Sequence, residues 1–445
     1  MFEILILSFL VTFLFTPYGY FFEKGDNNRS FSLQFIFAII LLSFFSLFIN
    51  FFSPISKIIS TSFVILSFFF ILKFRNVYFK KKYFIYCIFS SIIIFLLITA
   101  SNVYRPDAGL YHLPYIGIIN NEKIIFGLSN IHFRYGHTSV IQHTSAILNN
   151  FIFKENGINF PSAIIASSII INFLSNLNIK VKEQKFDFHF FILFSLIIFI
   201  LYKINRFSGY GNDAPAHLLM FLLISEVIKN FHNINYDKFS NYLLMSFFIL
   251  MNKIILLLSI FFLLTLFFNK NLKLKFYNKK NLFIIFFIFC WFSKNVIVSG
   301  CLFYPIKNTC FESFPWTNLA KAEYVSIENE AWAKGWPDFR QNNNNNISQK
   351  EYSKNFNWIR TWTKNHFIKT IKILIPYLIF LLVILFITKQ SFKKSYIENY
   401  KKYLIYLSLL GVIVWFLKVP AFRYGYSYLI ILISLNISFF ASYIN

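Results

Sequence analysis

An acid, a histidine and several aromatic side chains occur together in residues 104–114, YRPDAGLYHLP, directly after an apolar run over residues 84–100. Asp107 is one of only six aspartates in the chain. Because a carboxylate beside a membrane is costly unless it faces a cavity or a partner, we expect Asp107 to be the centre of an active site. Capping of the following helix by its side chain is the structural alternative, and the two roles are compatible.

Three residues of the same predicted outer segment have nitrogen-containing side chains that could bind a substrate. Arg105 and Arg134 have guanidinium groups, which bind phosphate bidentately and stay charged; extension toward lipid headgroups is the alternative for both. His112 lies five residues after Asp107 and off its helical face, but an extended turn at Pro106 could still let the two meet. Packing or hydrogen bonding alone is the other interpretation of His112.

Three further ionic residues lie far along the chain. Asp213, in RFSGYGNDAPAH over residues 206–217, either caps the next helix or acts as a second acid that binds a metal or an acceptor. Lys253 interrupts a long apolar run and needs a partner, a ligand or water. Arg423, in VPAFRYGYSY over residues 419–428, is placed to hold a lipid-linked phosphate, with contact to headgroups as the alternative.

The composition sets the fold class: 57% of residues are hydrophobic, 22% aromatic and only 14% charged. Repeated apolar runs of about 17 to 25 residues are long enough to cross a hydrocarbon core of about 30 Å. Because backbone groups in lipid must be satisfied internally and the runs show no barrel-like alternation, we predict an all-α polytopic transmembrane bundle. This composition excludes a soluble enzyme.

The net charge of +25 is concentrated in lysine clusters between apolar runs, over residues 73–82, 270–280 and 389–402. Such loops stay on the cytoplasmic side and contact anionic lipids. We therefore expect membrane lipids, and no nucleic acid, among the partners.

The apolar runs predict about 11 to 13 spans. The run over residues 241–268 should fold as two short helices that turn near Lys253, because basic residues flank both of its ends. The other candidate spans cover residues 2–22, 31–52, 58–72, 84–100, 161–176, 188–204, 216–226, 282–299, 368–387, 403–416 and 427–443.

Alternation of spans from the cytoplasmic clusters places every candidate ionic residue on the outer face. That face collects residues 101–160, 205–215, 299–366 and 417–426. The predicted organisation is residues 1–100, amino-terminal transmembrane helices; 101–160, an outer segment with interfacial helices and Asp107; 161–298, central transmembrane helices; 299–366, a tryptophan-rich outer segment; and 367–445, carboxy-terminal transmembrane helices.

The tryptophan-rich segment holds five of the seven tryptophans, which either anchor it to headgroups or stack on sugar rings or an isoprenoid chain. The asparagine run 342–346 predicts a disordered tip. Cys301 and Cys310 share this segment, which allows a disulfide, whereas Cys87 and Cys290 lie within spans. No cysteine pair has the spacing of a zinc site.

Several motifs together carry a family resemblance: PDAGLYHLPYI, GLSNIHFRYGHTS, SGYGNDAP, MNK, SGCLFYP and PAFRYG. They resemble bacterial polytopic proteins of the C-type glycosyltransferase (GT-C) superfamily, in particular a group with a D-x-x-x-YH-x-P signature, over residues 102–425. The resemblance implies a GT-C-like fold and removal of a sugar from a polyprenyl phosphate carrier, with Asp107 at the position of the superfamily's base. Here the acid follows about four spans, whereas better-known members carry it after the first.

We therefore expect an inverting glycosyltransferase of the bacterial inner membrane, multi-pass and active at the outer face. Asp107 would take the acceptor proton, while Arg423, Lys253 and Arg134 would hold the departing phosphate. Arg105, His112 and Asp213 are the other candidate substrate-binding residues. The expected partners are a polyprenyl-phosphate-linked sugar and a glycan or lipid acceptor.

Three points stay open at this stage. Asp107 and Asp213 together are candidate ligands of a divalent metal ion, the one cofactor that the sequence suggests, although they come from distant segments. A transporter or flippase of lipid-linked saccharides is one alternative function, and it should show inverted repeats. A non-catalytic membrane assembly factor is the other.

Overall fold

The computed structural model describes residues 1–101, 105–136, 139–207, 209–269, 278–342, 347–388 and 398–443. Within these ranges the fold is all-α, and the one extended pairing is an isolated bridge between Cys301 and Cys310. These two cysteines form the disulfide that the sequence allows. Most of the asparagine run 342–346 and of the lysine clusters 270–280 and 389–402 lies outside the described residues.

Eight helical stretches of the described chain are long and apolar enough to cross a membrane, which indicates a membrane protein. They are Phe2–Phe21, Asn28–Asn50, Lys81–Thr99, Lys154–Lys182, Lys279–Ser299, Ile359–Phe386, Asn399–Lys418 and Phe422–Ala441.

The remaining predicted spans also form helices, but these are shorter or carry more charge. They are Lys57–Lys73, Phe188–Tyr202, Asp213–Asn230 and Tyr236–Asn252. The helix Tyr236–Asn252 stops where Lys253 takes an extended conformation, with φ −151° and ψ 101°, and short helical turns continue to Phe268. The predicted break of this run near Lys253 is therefore confirmed.

Polar residues in the sequence define where several long helices begin and end. The side chains of Asn27, Asp187 and Asn278 each accept a hydrogen bond from a backbone N–H in the first turn of the following helix. Gly300 ends the helix Lys279–Ser299 in the left-handed region, with φ 75°, which glycine adopts without the clash of a Cβ. Local sequence thus fixes the helix ends that carry the connecting segments.

Contacts between the segments that connect the helices show which of these segments lie together at each end of the bundle. At one end Lys80 pairs with Asp26 at 2.7 Å, and His232 lies 3.1 Å from Glu398. We call this the lysine-rich end. The helix Asn28–Asn50 starts beside Asp26 and leads away from it.

At the opposite end, Asn50 donates to the carbonyl of Glu122 at 2.9 Å, and the backbone N–H of Ile55 donates to Ile119 at 2.9 Å. Asp107 and Arg423 also meet here, so we call it the aspartate end. Each end gathers segments that the alternation of spans assigns to one face.

A short helix, Ile141–Leu148, is buried along its whole length between the helices Asn28–Asn50 and Lys57–Lys73. Thr144 donates to the carbonyl of Ile39 at 3.3 Å, and Ser60 donates to that of Ala146 at 3.2 Å. Small and hydroxyl side chains allow this close approach. Sequence reasoning did not anticipate a buried helix in this predicted outer segment.

The tryptophan-rich segment folds over the aspartate end. Trp358 and Trp362 lie buried in a small core of their own, so neither anchoring nor sugar stacking describes them. The Trp362 indole donates to the carbonyl of Pro420 at 2.7 Å, and Trp358 packs on Phe416. These contacts attach the segment to the chain just before Arg423.

Candidate functional site

Asp107 and Arg423, 316 positions apart in sequence, meet at the aspartate end. Asp107 lies in the first turn of a helical segment, and Arg423 lies in the first turn of the helix Phe422–Tyr443. Arg423 Nη1 donates to Asp107 Oδ2 at a long 3.4 Å, and the two side chains remain 41% and 30% exposed. Asp107 makes no capping hydrogen bond, so the structural alternative for it does not hold. The carboxylate is accessible and only loosely held.

Tyr424 joins this pair to a second one. Arg423 Nη2 donates to the Tyr424 hydroxyl at 2.7 Å, and the Lys253 ammonium lies 4.4 Å from the centre of the same ring. Lys253 in turn forms an ion pair with Asp213. Asp213 does not cap its helix either. Two acids and two cations from four chain segments therefore form two ion pairs that are linked through Tyr424.

Asn252 explains why the chain breaks at this point. Its side-chain oxygen accepts hydrogen bonds from the backbone N–H groups of Val140 and Ile141, at 3.2 and 2.9 Å, and from Ser139. The amide thereby caps the buried helix Ile141–Leu148 from another segment. The carbonyl of Asn252, freed by the end of its own helix, accepts from Asn212 at 2.6 Å. These bonds hold Lys253 beside Asp213.

His112 lies behind the two ion pairs and is buried. Gln142 Nε2 is 3.3 Å from its Nδ1. Burial lowers the pKa of His112 to about 4, although nearby Asp213 and Asp107 oppose that shift. The ring is therefore neutral near pH 7 and suited to hydrogen bonding.

The backbone between Asp107 and His112 is helical. Residues 106–112 form helical turns and end in a wide π-type turn, Ala108–His112, so the chain does not use the extended turn at Pro106 that could have let the two residues meet. Proline is tolerated in the first turn of a helix because its missing N–H has no partner there. The wide turn brings the histidine toward the acid.

The two arginines near Asp107 have different surroundings. The Arg134 guanidinium lies 4.7 Å from the centre of the Tyr111 ring and 5.2 Å from that of Phe133, so aromatic faces hold its charge close to the site.

Arg105 donates instead to the Ser101 hydroxyl at 2.7 Å and to the carbonyl of Asn205 at 3.1 Å. Gly209, with φ +135°, lies against this guanidinium, and a Cβ there would overlap it. Arg105 thus ties two segments together, and the structure does not bring it to Arg423 or Lys253.

Three contacts at the site escaped sequence reasoning. Trp332, 43% exposed, lies with its ring 5.0 Å from the Arg423 guanidinium. His217, one helical turn after Asp213, bonds to Ser427 at 2.7 Å and to the carbonyl of Arg423 at 3.0 Å. Gln142 supports His112. Polar residues inside the apolar runs DAPAHLLM and IQHTSAIL were the available signals for the last two.

The donor set does not fit a divalent metal ion. Asp107 and Asp213 each pair with a cation. Across the described residues there is no group of three or more histidine, cysteine, aspartate or glutamate side chains that could hold one.

Comparisons with known proteins place the chain in one family. No curated protein and no solved structure matches it significantly. The family described as "Domain of unknown function (DUF8201)" matches residues 1–430, which is nearly the whole chain. The protein therefore belongs to the DUF8201 family.

Proposed function

We propose that this protein is a membrane glycosyltransferase that moves a sugar from a polyprenyl phosphate carrier to an acceptor hydroxyl. The convergence of Asp107, Arg423, Lys253 and Asp213 around Tyr424 carries the proposal. A reaction that displaces a phosphate needs a base for the acceptor and cations for the leaving group. The resemblance to the GT-C superfamily supports the same assignment.

In the proposed step, the acceptor oxygen attacks the anomeric carbon while the bond from that carbon to the carrier phosphate breaks. Asp107 takes the acceptor proton, and the carrier leaves as polyprenyl phosphate. Arg423 and Lys253, both beside the Tyr424 ring, stabilise the developing negative charge on the phosphate. A single displacement inverts the anomeric configuration.

The long Asp107–Arg423 contact is consistent with Asp107 acting as the base and Arg423 binding the phosphate. Arg423 also donates a hydrogen bond to Tyr424 and lies against the ring of Trp332. These contacts hold its guanidinium in place when it binds a phosphate. Release of the long contact then leaves Asp107 as a free carboxylate. Arg134, on the ring of Tyr111, supplies further positive charge.

The test measures release of polyprenyl phosphate by purified protein from a panel of polyprenyl-phosphate-linked hexoses, with and without acceptor glycan. Asp107→Asn should lower turnover by about 10² to 10⁴-fold, the usual contribution of a general base. Asp26→Asn, at the lysine-rich end, is the matched control and should leave turnover unchanged. Near-normal turnover by Asp107→Asn would remove Asp107 from the mechanism.

We also propose that the aspartate end faces the outside of the bacterial inner membrane. The free cysteines Cys87 and Cys290 are buried and the other two are bonded, so thiol labelling has little background. Leu110→Cys, at an exposed position, should react with a membrane-impermeant maleimide in intact cells. Lys82→Cys should react only after the membrane is opened; the reverse pattern refutes this orientation.

A transporter of lipid-linked saccharides is the second candidate, because the helix broken at Lys253 is a feature that transporters use at binding sites. Such a protein would move the intact lipid-linked sugar across sealed vesicles without releasing polyprenyl phosphate. Movement without release favours the transporter, and release favours the enzyme.

A further inference from the structure

A cavity of about 440 Å³ opens at the lysine-rich end, far from Asp107. Its walls come from the end of the helix Lys154–Lys182 and the start of Phe188–Tyr202, together with the end of Asp213–Asn230 and the start of Asn399–Lys418. This volume lies in the usual range of small-molecule sites. None of the residues proposed for sugar transfer lines it.

The cavity wall carries four lysines but only three carboxylates. Its lysines Lys180, Lys185 and Lys401 pair with the carboxylates Asp187, Glu183 and Glu398 at 2.6, 2.9 and 3.2 Å.

Lys229 has no carboxylate of its own on this wall and donates instead to the neutral amide oxygen of Asn176. The nearest other acid, Glu226, lies one turn earlier on the same helix and is bound to Arg29 and Asn230. Lys229 thus leaves one net positive charge in the cavity.

A buried polar group on the same wall also lacks a partner. His189 bonds through Nε2 to Ser225 at 3.0 Å, but its Nδ1 has no hydrogen-bond partner among the described residues. A buried ring nitrogen without a partner is costly. An anion that accepts hydrogen bonds from Lys229 and, in the tautomer that carries its proton on Nδ1, from His189 fits both residues.

Apolar residues form the rest of the wall and indicate the shape of the ligand. Phe188, Ile228 and Tyr400 are buried, whereas Ile179 is 47% exposed on the outside of the helix Lys154–Lys182. A charged group at Lys229 can therefore continue into an apolar chain that leaves past Ile179.

We propose that this cavity binds a phosphate-bearing anion at Lys229 and His189, supplied either by the headgroup of an anionic lipid or by a soluble phosphate compound. The exposed apolar exit at Ile179 favours the lipid. The site is separate from the sugar-transfer site, and its existence does not depend on that proposed function.

The test uses the purified full-length chain in phosphatidylcholine nanodiscs, with phosphatidylglycerol or uridine diphosphate as probes and native mass spectrometry as the binding measurement. Lys229→Gln should bind the preferred probe about tenfold more weakly. Lys82→Gln, an exposed lysine at the same end but outside the cavity, should bind like the wild type.

Each outcome decides the proposal. Lys229-dependent binding of phosphatidylglycerol identifies a lipid ligand, and Lys229-dependent binding of uridine diphosphate identifies a soluble one. Equal binding by wild type and Lys229→Gln, or no binding of either probe by wild type, overturns the site. If Lys229→Gln does not fold, Lys185→Gln at the exposed rim should still weaken binding about two- to threefold.

Discussion

Two ion pairs at opposite ends of the molecule differ in the burial of their carboxylates and in the number of hydrogen bonds that one carboxylate oxygen accepts. Glu226, at the lysine-rich end, is 2% exposed, and its Oε2 accepts hydrogen bonds from Arg29 at 2.9 Å, Asn230 at 2.9 Å and Tyr242 at 3.3 Å. Asp107 is 30% exposed and has one partner in the described chain, Arg423 at 3.4 Å. The first carboxylate is held by its neighbours, and the second is available to a ligand.

This difference separates ionic groups that stabilise the fold from those suited to chemistry. A buried pair with several donors stays together because its rupture leaves an uncompensated charge. A partly exposed pair with one long contact contributes little to stability. Burial of an acid alone therefore does not mark a functional residue, since Glu226 is more buried than Asp107.

The largest expected effect is on the buried pair. Glu226→Gln should lower the free energy of unfolding by about 3 kcal/mol, because Arg29 then keeps its charge without a carboxylate. Thermal denaturation in detergent measures the change. Glu323→Gln, which breaks an exposed pair with Lys307, is the control and should change stability little. Equal losses in both variants would show that burial does not distinguish the pairs.

The next effect concerns pH at the aspartate end. Burial lowers the pKa of His112 to about 4, from about 6.5 in the unfolded chain. The stability that this neutral ring contributes is present above pH 6.5 and is lost as the pH falls toward 4. Between pH 6.5 and 4.5 the free energy of unfolding should therefore fall by about 1 to 2 kcal/mol less in His112→Gln than in the wild type.

The charged residues around His112 also affect this acid profile. Asp213 and Asp107 favour the charged ring, while Arg134 and Arg423 oppose it. Asp107→Asn should accordingly steepen the loss of stability in acid. Identical acid profiles for wild type and His112→Gln would contradict a buried neutral ring.

The sequence predicts the helices and the break at Lys253 because apolar length and single charges in apolar runs are local signals. Side-chain pairing is not local. Asp213 stood equally as a cap, a metal ligand or an acceptor site, and only the fold brings it to Lys253. Arg105 and Arg423 looked alike in sequence, yet one ties two segments together through Asn205 and the other meets Asp107.

The buried helix Ile141–Leu148 shows the same limit. Its eight residues are too few to read as a span, and Gln142 and Thr144 bond to residues distant in sequence, His112 and Ile39. The family assignment and the GT-C resemblance leave the orientation and the reaction as proposals, which the labelling and turnover experiments address.

A smaller effect is expected at the break itself. Asn252→Ala removes the acceptor for the N–H groups of Val140 and Ile141 and should cost about 1 to 2 kcal/mol of stability, as loss of a helix cap does. It should also lower turnover, because Lys253 loses its fixed position. Asn252→Asp keeps the acceptor oxygen but loses the amide that donates to the carbonyl of Phe248 at 2.8 Å, so it should recover only part of the stability. No loss in Asn252→Ala would mean that the cap does not hold the break.

The smallest expected effect on stability belongs to Asp107, and it separates the two pairs most sharply. Asp107→Asn removes one long, partly exposed contact, while Arg423 keeps its bond to Tyr424 and its face on Trp332. We expect a change in the free energy of unfolding within about 0.5 kcal/mol, alongside the large loss of turnover. A destabilisation as large as that of Glu226→Gln would make Asp107 a structural acid, and loss of turnover would then follow from misfolding. Full stability with lost turnover would place the role of Asp107 at the site, in proton transfer or in positioning Arg423, and not in the stability of the fold.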